Sequence, residues 1–232
     1  MRITPLLLAT GTILAAATTA QAEFVDMVYV GTQRGMTVKV SSAFASGDLY
    51  AGQILNSLSN GPSGYNGVFV TYCCDLGQYV PGSPTPYEIV DPAFAPLNDP
   101  MGAAKAAALA KIYSFAAGQQ LDANATNEYC AAFQLAAWEI IYDFNAWAPN
   151  FGLSLDDGSF KASATDGGAL STDVITAVDA FFAAVAVDFG TGVELKALVS
   201  ESNQDQLIVV PGPGASALLG VAGMLALRRR RR

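Results

Sequence analysis

The chain has 232 residues with 12 basic and 20 acidic side chains, a formal charge of −8, 3 cysteines and no histidine. The missing histidine excludes Ser–His–Asp and Cys–His catalysis and histidine-based metal sites, and three cysteines alone do not complete a standard structural zinc site, so neither a metal nor a cofactor is expected. Between residues 23 and 210 there are 6 basic residues against all 20 acidic ones, a surface that repels phosphate backbones and excludes nucleic acid as a partner.

Residues 1–22 place Arg2 ahead of a short apolar run that ends in Ala20-Gln21-Ala22. Small residues at Ala20 and Ala22 fit a secretory signal peptide cleaved after Ala22, and the run is short for a retained membrane anchor. Export puts the mature chain where disulfides are permitted. Residues 23–90 read mostly as strand. The stretches 24–30 and 36–40 alternate apolar and polar residues, and the glycine-bearing 31–35 between them predicts a hairpin turn. Residues 50–58 read as strand or a short helical turn, 60–66 as a loop, 68–74 as a buried strand, 79–87 as a proline-rich loop and 87–90 as a short strand.

Helical spacing dominates from 92 to 187. The Ala-rich stretch 101–117 ends at Gly118. The next, 127–144, is the strongest helix signal in the chain, with Thr126 as N-cap and Glu128 in the first turn. Tyr129, Phe133, Ala136, Ile140 and Phe144 form one apolar face, while Cys130, Gln134, Trp138 and Ile141 form a second. Gln134 thus lies between apolar neighbours, where an unpaired amide costs roughly 1–3 kcal/mol, so it needs a partner. A hydrogen bond to loop backbone is one candidate. Residues 145–168 read as an irregular connection and 171–187 as a capped amphipathic helix, and strand character returns at 193–199 and 206–210. Strands at both ends of a helical middle predict an α+β domain over 23–210, a sheet or sandwich-like body with an inserted helical region, flanked by the signal helix and a short C-terminal transmembrane helix.

The last segment, 211–232, joins Pro211-Gly212-Pro213 to a thirteen-residue apolar run and then to Arg228, Arg229, Arg230, Arg231 and Arg232. The run is short for spanning about 30 Å of hydrocarbon, and the arginines would stay cytoplasmic. A proline-rich hinge, a short apolar helix and an arginine cluster together resemble the PEP-CTERM sorting signal of Gram-negative bacteria, with Pro-Gly-Pro standing where that family has Pro-Glu-Pro. The resemblance implies transient membrane anchoring, removal of the tail by an exosortase-type protease, and release to the cell surface or the extracellular space. The alternative is a plain C-terminal membrane anchor.

Two stretches carry a second resemblance: Tyr72-Cys73-Cys74-Asp75-Leu76 and Phe133-Gln134-Leu135-Ala136-Ala137-Trp138. They resemble the thioester domain of bacterial surface proteins, which has an aromatic-Cys-hydrophobic motif on a strand and a Gln-x-x-hydrophobic-Trp motif on a helix. Carried across residue by residue, Cys73 and Gln134 take the places of the thioester pair, and Ala137 and Trp138 fill the hydrophobic-Trp positions. The chain departs from the pattern at Ala132, where a Thr is usual, at Cys74, where an aliphatic residue is usual, and in its extra Cys130. The resemblance implies an internal thioester formed with loss of ammonia, then covalent attachment to an amine or hydroxyl on an unidentified surface partner. It would be used once, without turnover. Tyr72, Phe133 and Trp138 would shield the bond from water. Asp75 either orients the nucleophile or caps a loop.

The competing interpretation is a Cys73–Cys130 disulfide, since Cys130 lies one turn before Gln134. It belongs with a noncovalent structural protein of the cell envelope or matrix. No set of side chains nominates a catalytic group, so an enzyme is not the expectation.

Overall fold

The computed structural model describes residues 22–117, 121, 125–187 and 193–209. Residues 1–21 of the expected signal, Ala20 among them, together with Gly118, Val210 and the sorting tail from Pro211 through Arg232, lie outside the described residues. Within them the chain is an α+β domain of seven antiparallel strands and three α-helices. None of these helices is long and apolar enough to cross a membrane.

The first strand, β1 (Glu23–Ser41), runs straight through the expected turn at 31–35. The chain reverses instead at 42–45, where the Ser42 hydroxyl accepts hydrogen bonds from the Phe44 and Ala45 amides. The glycines serve a different purpose. The ladder with β2 (Ser46–Ser59) shifts register between Tyr29 and Gly31 and again between Thr32 and Gly35, and Gly35 then lies opposite Gly52. A Cβ on Gly35 would strike the Ala51 carbonyl, and one on Gly52 would strike the Arg34 carbonyl. Two backbones approach there as only glycine permits, and the run marks bulges in a continuous strand. Residues 50–58 are accordingly strand throughout.

The strands form a ring rather than two stacked sheets. β1 pairs through Glu23–Met27 with β4 (Thr85–Val90) on one edge and from Asp26 onward with β2 on the other. β2 continues to β3 (Gly67–Cys73), β3 to β7 (Gln206–Val209), β7 to β6 (Leu195–Val199), and β6 back to β4. The length of β1, 19 residues, lets it close six strands into a small barrel and still extend beyond it, where β5 (Lys161–Ser163) adds to its far end. The barrel is filled by Val25, Met27, Leu58, Tyr87, Leu198 and Ile208, contributed by five of its strands. β3 is less buried than its composition suggests: Val68 is 60% exposed, and only 71–73 lie in the interior.

The helices α1 (Gly102–Ala117), α2 (Asn127–Asp143) and α3 (Thr172–Val185) fall between β4 and β6 in sequence and pack on the outside of the ring and on the extended β1–β2 hairpin. Thr126 and Ser171 cap α2 and α3 as expected, accepting from the Tyr129 and Val174 amides. Two lysines of α1 close the other ends: Lys105 donates to the Ile141 carbonyl of α2 and Lys111 to the Val185 carbonyl of α3. α2 is the centre of this layer. Every residue from Cys130 to Ile141 is buried. One side packs into the aromatic group of Tyr72, Tyr113, Phe133 and Phe181, and the other packs around Trp138 and Phe160.

Gly52 adopts φ +149 against the Arg34 carbonyl, so Gly52→Ala should lower stability by about 1–3 kcal/mol without changing the slope of a urea unfolding curve. An unchanged midpoint would show that the two strands can part there freely.

Candidate functional site

Cys73 is the last residue of β3 and Gln134 lies in the middle of α2, and their contact joins the two layers. The Gln134 carboxamide bonds both ends of the Cys73 peptide unit: Oε1 accepts from the Cys73 amide at 2.9 Å, and Nε2 donates to the Cys73 carbonyl at 2.8 Å. The ladder explains why these groups are available. β3 pairs with β2 only as far as Thr71 opposite Ile54, while Cys73 pairs with Gln206 of β7 on its other side. Beyond Thr71, β2 no longer reaches β3, and the amide of Gln134 occupies the place a strand would have taken. Gln134 is completely buried.

The sulfur of Cys73 is turned to the Asp75 carbonyl, which accepts its thiol hydrogen bond at 3.1 Å. Trp138, 2% exposed, lies beside it, and its indole N–H has no oxygen or nitrogen partner. Burial pushes the Cys73 thiol up to about 12, against smaller opposing pulls from the Trp138 indole and the Asp75 peptide. At neutral pH the sulfur is therefore a thiol. The carboxylate of Asp75 caps the following turn, with Oδ1 accepting from the Gly77 amide at 2.8 Å. Burial raises its carboxyl, its Oδ2 has no hydrogen-bond partner, and its backbone carbonyl is the group that meets the Cys73 thiol.

The remaining expected residues divide between two neighbourhoods. Tyr72 and Phe133 stack edge to face at 4.6 Å inside the aromatic group, so they wall the contact from the side of α1 and α3. Ala137 and Trp138 are buried on the other side, Trp138 against Phe160. Cys74 is fully buried with its amide on the Asp205 carbonyl. Cys73, Cys74 and Cys130 are all free. Cys130 lies one turn N-terminal of Gln134 beside the Tyr72 hydroxyl, whereas the Cys73 sulfur faces Trp138, one turn C-terminal. The two thiols are thus on opposite sides of the Gln134 amide.

Three supporting residues carry no signal in the sequence. Tyr142, one turn beyond Trp138, accepts a hydrogen bond from the Leu76 amide and so fixes the turn that follows Cys73. Asp205 accepts from the Leu97 and Ser200 amides, and burial pushes its carboxyl up to about 6. Glu139 is fully buried next to Trp138. Its Oε1 accepts from the Ser154 amide at 2.8 Å, its Oε2 has no partner, and burial pushes its carboxyl up to about 8. Together with Asp143, which takes the Ser159 and Phe160 amides, it holds the loop that seats Phe160 against Trp138. Helical spacing alone gave no sign that an acid at 139 would be enclosed, because α2 is buried on all its faces. Among the described residues no group of acids and cysteines could hold a metal ion.

No protein-family model, curated protein or solved structure matches the chain.

Glu139 sets a pH dependence. Its folded-state value lies above that of an unfolded Glu, so between the two the native protein keeps a proton the unfolded chain has lost. That stability is complete below the ordinary Glu range and disappears as pH rises through about 8. Unfolding free energy should therefore increase as pH falls from about 8 to 6.5, with a slope of at most about 1.4 kcal/mol per pH unit for one proton. Asp205 and Asp75 shift in the same sense. Glu139→Gln should flatten the profile between pH 6.5 and 8, and an equally steep profile in that variant would assign the effect elsewhere.

Proposed function

We propose that Cys73 and Gln134 condense into an internal thioester and that the protein is an exported surface or matrix component that attaches covalently to a partner through it. The observation that carries this reading is the pair of hydrogen bonds between the buried Gln134 carboxamide and the Cys73 backbone. These bonds fix the carboxamide beside the residue that carries the sulfur, and such placement lowers the entropic cost of joining the two side chains. Condensation moves the Cys73 sulfur onto Cδ of Gln134 and expels the amide nitrogen as ammonia, which carries off the thiol proton. A later nucleophile, an amine or hydroxyl on the partner, takes the acyl group and returns the thiol. This is acyl transfer used once, and an enzyme is not proposed.

Internal amines compete poorly. Lys105 and Lys111 are both engaged with helix carbonyls, and only Lys39, Lys161 and Lys196 remain in the body. The finer architecture proposed with this function adds a cleaved signal ending at Ala22 and the PEP-CTERM-like tail from Pro211, processed by an exosortase-type protease. The alternative is a noncovalent structural protein. One observation favours it: the Gln134 amide already has both polar atoms paired, as a purely structural clamp requires. A Cys73–Cys130 disulfide is less well served, since the two thiols flank Gln134 from opposite ends.

Intact mass separates these readings. Protein prepared in its native compartment, without reductant or amine buffer, should be one ammonia lighter than its sequence, and methylamine should add once while freeing one thiol. Cys73→Ser should abolish both effects. So should Gln134→Glu, which keeps the acceptor for the Cys73 amide but cannot lose ammonia. Cys74→Ala and Cys130→Ala should retain both. A wild-type mass without the deficit leaves the structural clamp. A mass lower by two hydrogens that reductant restores would instead report the disulfide.

The tail makes its own prediction. Mature material from the cell surface should begin at Glu23 and lack peptides containing Arg228–Arg232. Recovery of those arginine peptides would establish a permanent anchor.

A further inference from the structure

A cleft of about 410 Å³ leads from the surface to Cys73. Its inner end is formed by Cys73 and Trp138, one wall by the β1–β2 hairpin through Leu49 and Ile54, and the other by the turn after β3 through Leu76 and Val80. Its mouth lies between Phe44, 48% exposed at the hairpin tip, and Tyr79, 86% exposed on the opposite loop. Both sides are held in place. Phe44 stacks on Tyr142 at 5.3 Å, and the same Tyr142 hydroxyl takes the Leu76 amide. No Asp, Glu, Lys or Arg lines the cleft, although the body carries a large excess of acids elsewhere.

We propose that this cleft is the entrance for the acceptor, that Phe44 and Tyr79 form its gate, and that it selects a slim, unbranched alkyl chain ending in a primary amine. The proposal rests on the thioester reading. An acyl carbon carried on the Cys73 sulfur lies at the inner end of the cleft, and the side facing α1 and α3 is closed by the aromatic group around Phe133. The chemistry at the inner end favours nitrogen over oxygen. The chain has no histidine, and the cleft offers no carboxylate or amine to take a proton from a hydroxyl. An amine needs no such help once it is neutral, and an uncharged, desolvating passage favours its neutral form. At the mouth the aromatic faces suit an incoming alkylammonium, and the acidic body draws cations toward the surface. The ammonium releases one proton to solvent as it enters. Its nitrogen then bonds Cδ of Gln134, the carbon–sulfur bond breaks, and the second nitrogen proton passes to sulfur to restore the Cys73 thiol.

The test compares addition of methylamine, n-butylamine and tert-butylamine to the full chain by intact mass, alongside their reaction with a small alkyl thioester free in solution, which gives the intrinsic reactivity of each amine. The ammonia deficit is measured first on every variant, because it reports the bond independently of access. Methylamine and n-butylamine should add readily, and tert-butylamine should be slowed by about tenfold or more on top of its handicap toward the free thioester. Tyr79→Ala and Phe44→Ala should keep the deficit and lose most of that extra discrimination. Ala45→Trp, which fills the cleft from the hairpin side, should keep the deficit and slow n-butylamine by about tenfold. Two results overturn the entrance while leaving the thioester standing: a deficit with wild-type rates in Ala45→Trp, or wild-type protein that discriminates among the amines no more than the free thioester does. Absence of the deficit from the wild type removes the thioester and the entrance with it.

Discussion

The fold depends on a side chain that stands in for a strand. β2 parts from β3 after the Ile54–Thr71 pair because it must follow β1 into the long hairpin, and that departure leaves the Cys73 peptide facing the helical layer. A buried peptide group without partners costs roughly 1–3 kcal/mol for each donor or acceptor. The carboxamide has the donor and acceptor of a peptide, so a glutamine at the right height on α2 completes the ladder. The height is set from both directions. Thr126 starts the helix, Lys105 secures its last turn, and aromatic packing around Phe133 and Trp138 fixes its rotation. Placement of one amide is thus the joint product of the whole helical layer.

The same constraint explains why the neighbouring polar groups are arranged as they are. A helix buried on every face can carry a polar side chain only where something meets it. Gln134 meets Cys73, and Glu139 meets the Ser154 amide. Glu139 has one oxygen satisfied and one not, which is compatible with burial only if it holds a proton, in line with its raised value. Asp143, one turn further on and less enclosed, takes two loop amides instead. These two acids bring Phe160 against Trp138, and Trp138 in turn backs the Cys73 sulfur. Protonation at residue 139 is therefore connected to the packing of the ring that covers the contact.

Much of this was legible in the sequence where the signal was local. Periodicity and caps located all three helices to within a few residues, and strand character at both ends of the chain foretold a shared sheet. The pairing of Cys73 with Gln134 was legible from two short stretches about sixty residues apart. What could not be read was set by long-range pairing. The glycines at 31 and 35 carry the composition of a turn, and only the opposite strand, with Gly52 facing Gly35, makes them bulges. Closure of the ring was hidden for the same reason, since it needs β1 to use both of its edges. The apolar composition of β3 suggested full burial, yet Val68 and Val70 are exposed and only its last three residues lie in the interior.

The enclosure of Cys73 has a chemical consequence beyond stability. A thiol raised to about 12 is a poor nucleophile at neutral pH, so the interior that would protect an acyl bond also slows its formation. The two demands are reconciled if joining depends on position more than on acidity. The Asp75 carbonyl holds the thiol proton, and the adjacent carboxamide supplies a leaving nitrogen able to take that proton up. Proton transfer and bond formation can then occur within one small group of atoms without a separate base. The groups that would perform this role are mostly backbone, in a chain that has no histidine. Reactivity in such a site would have to come from the geometry that β3, α2 and the turn at Leu76 fix, and would be lost with any of the three.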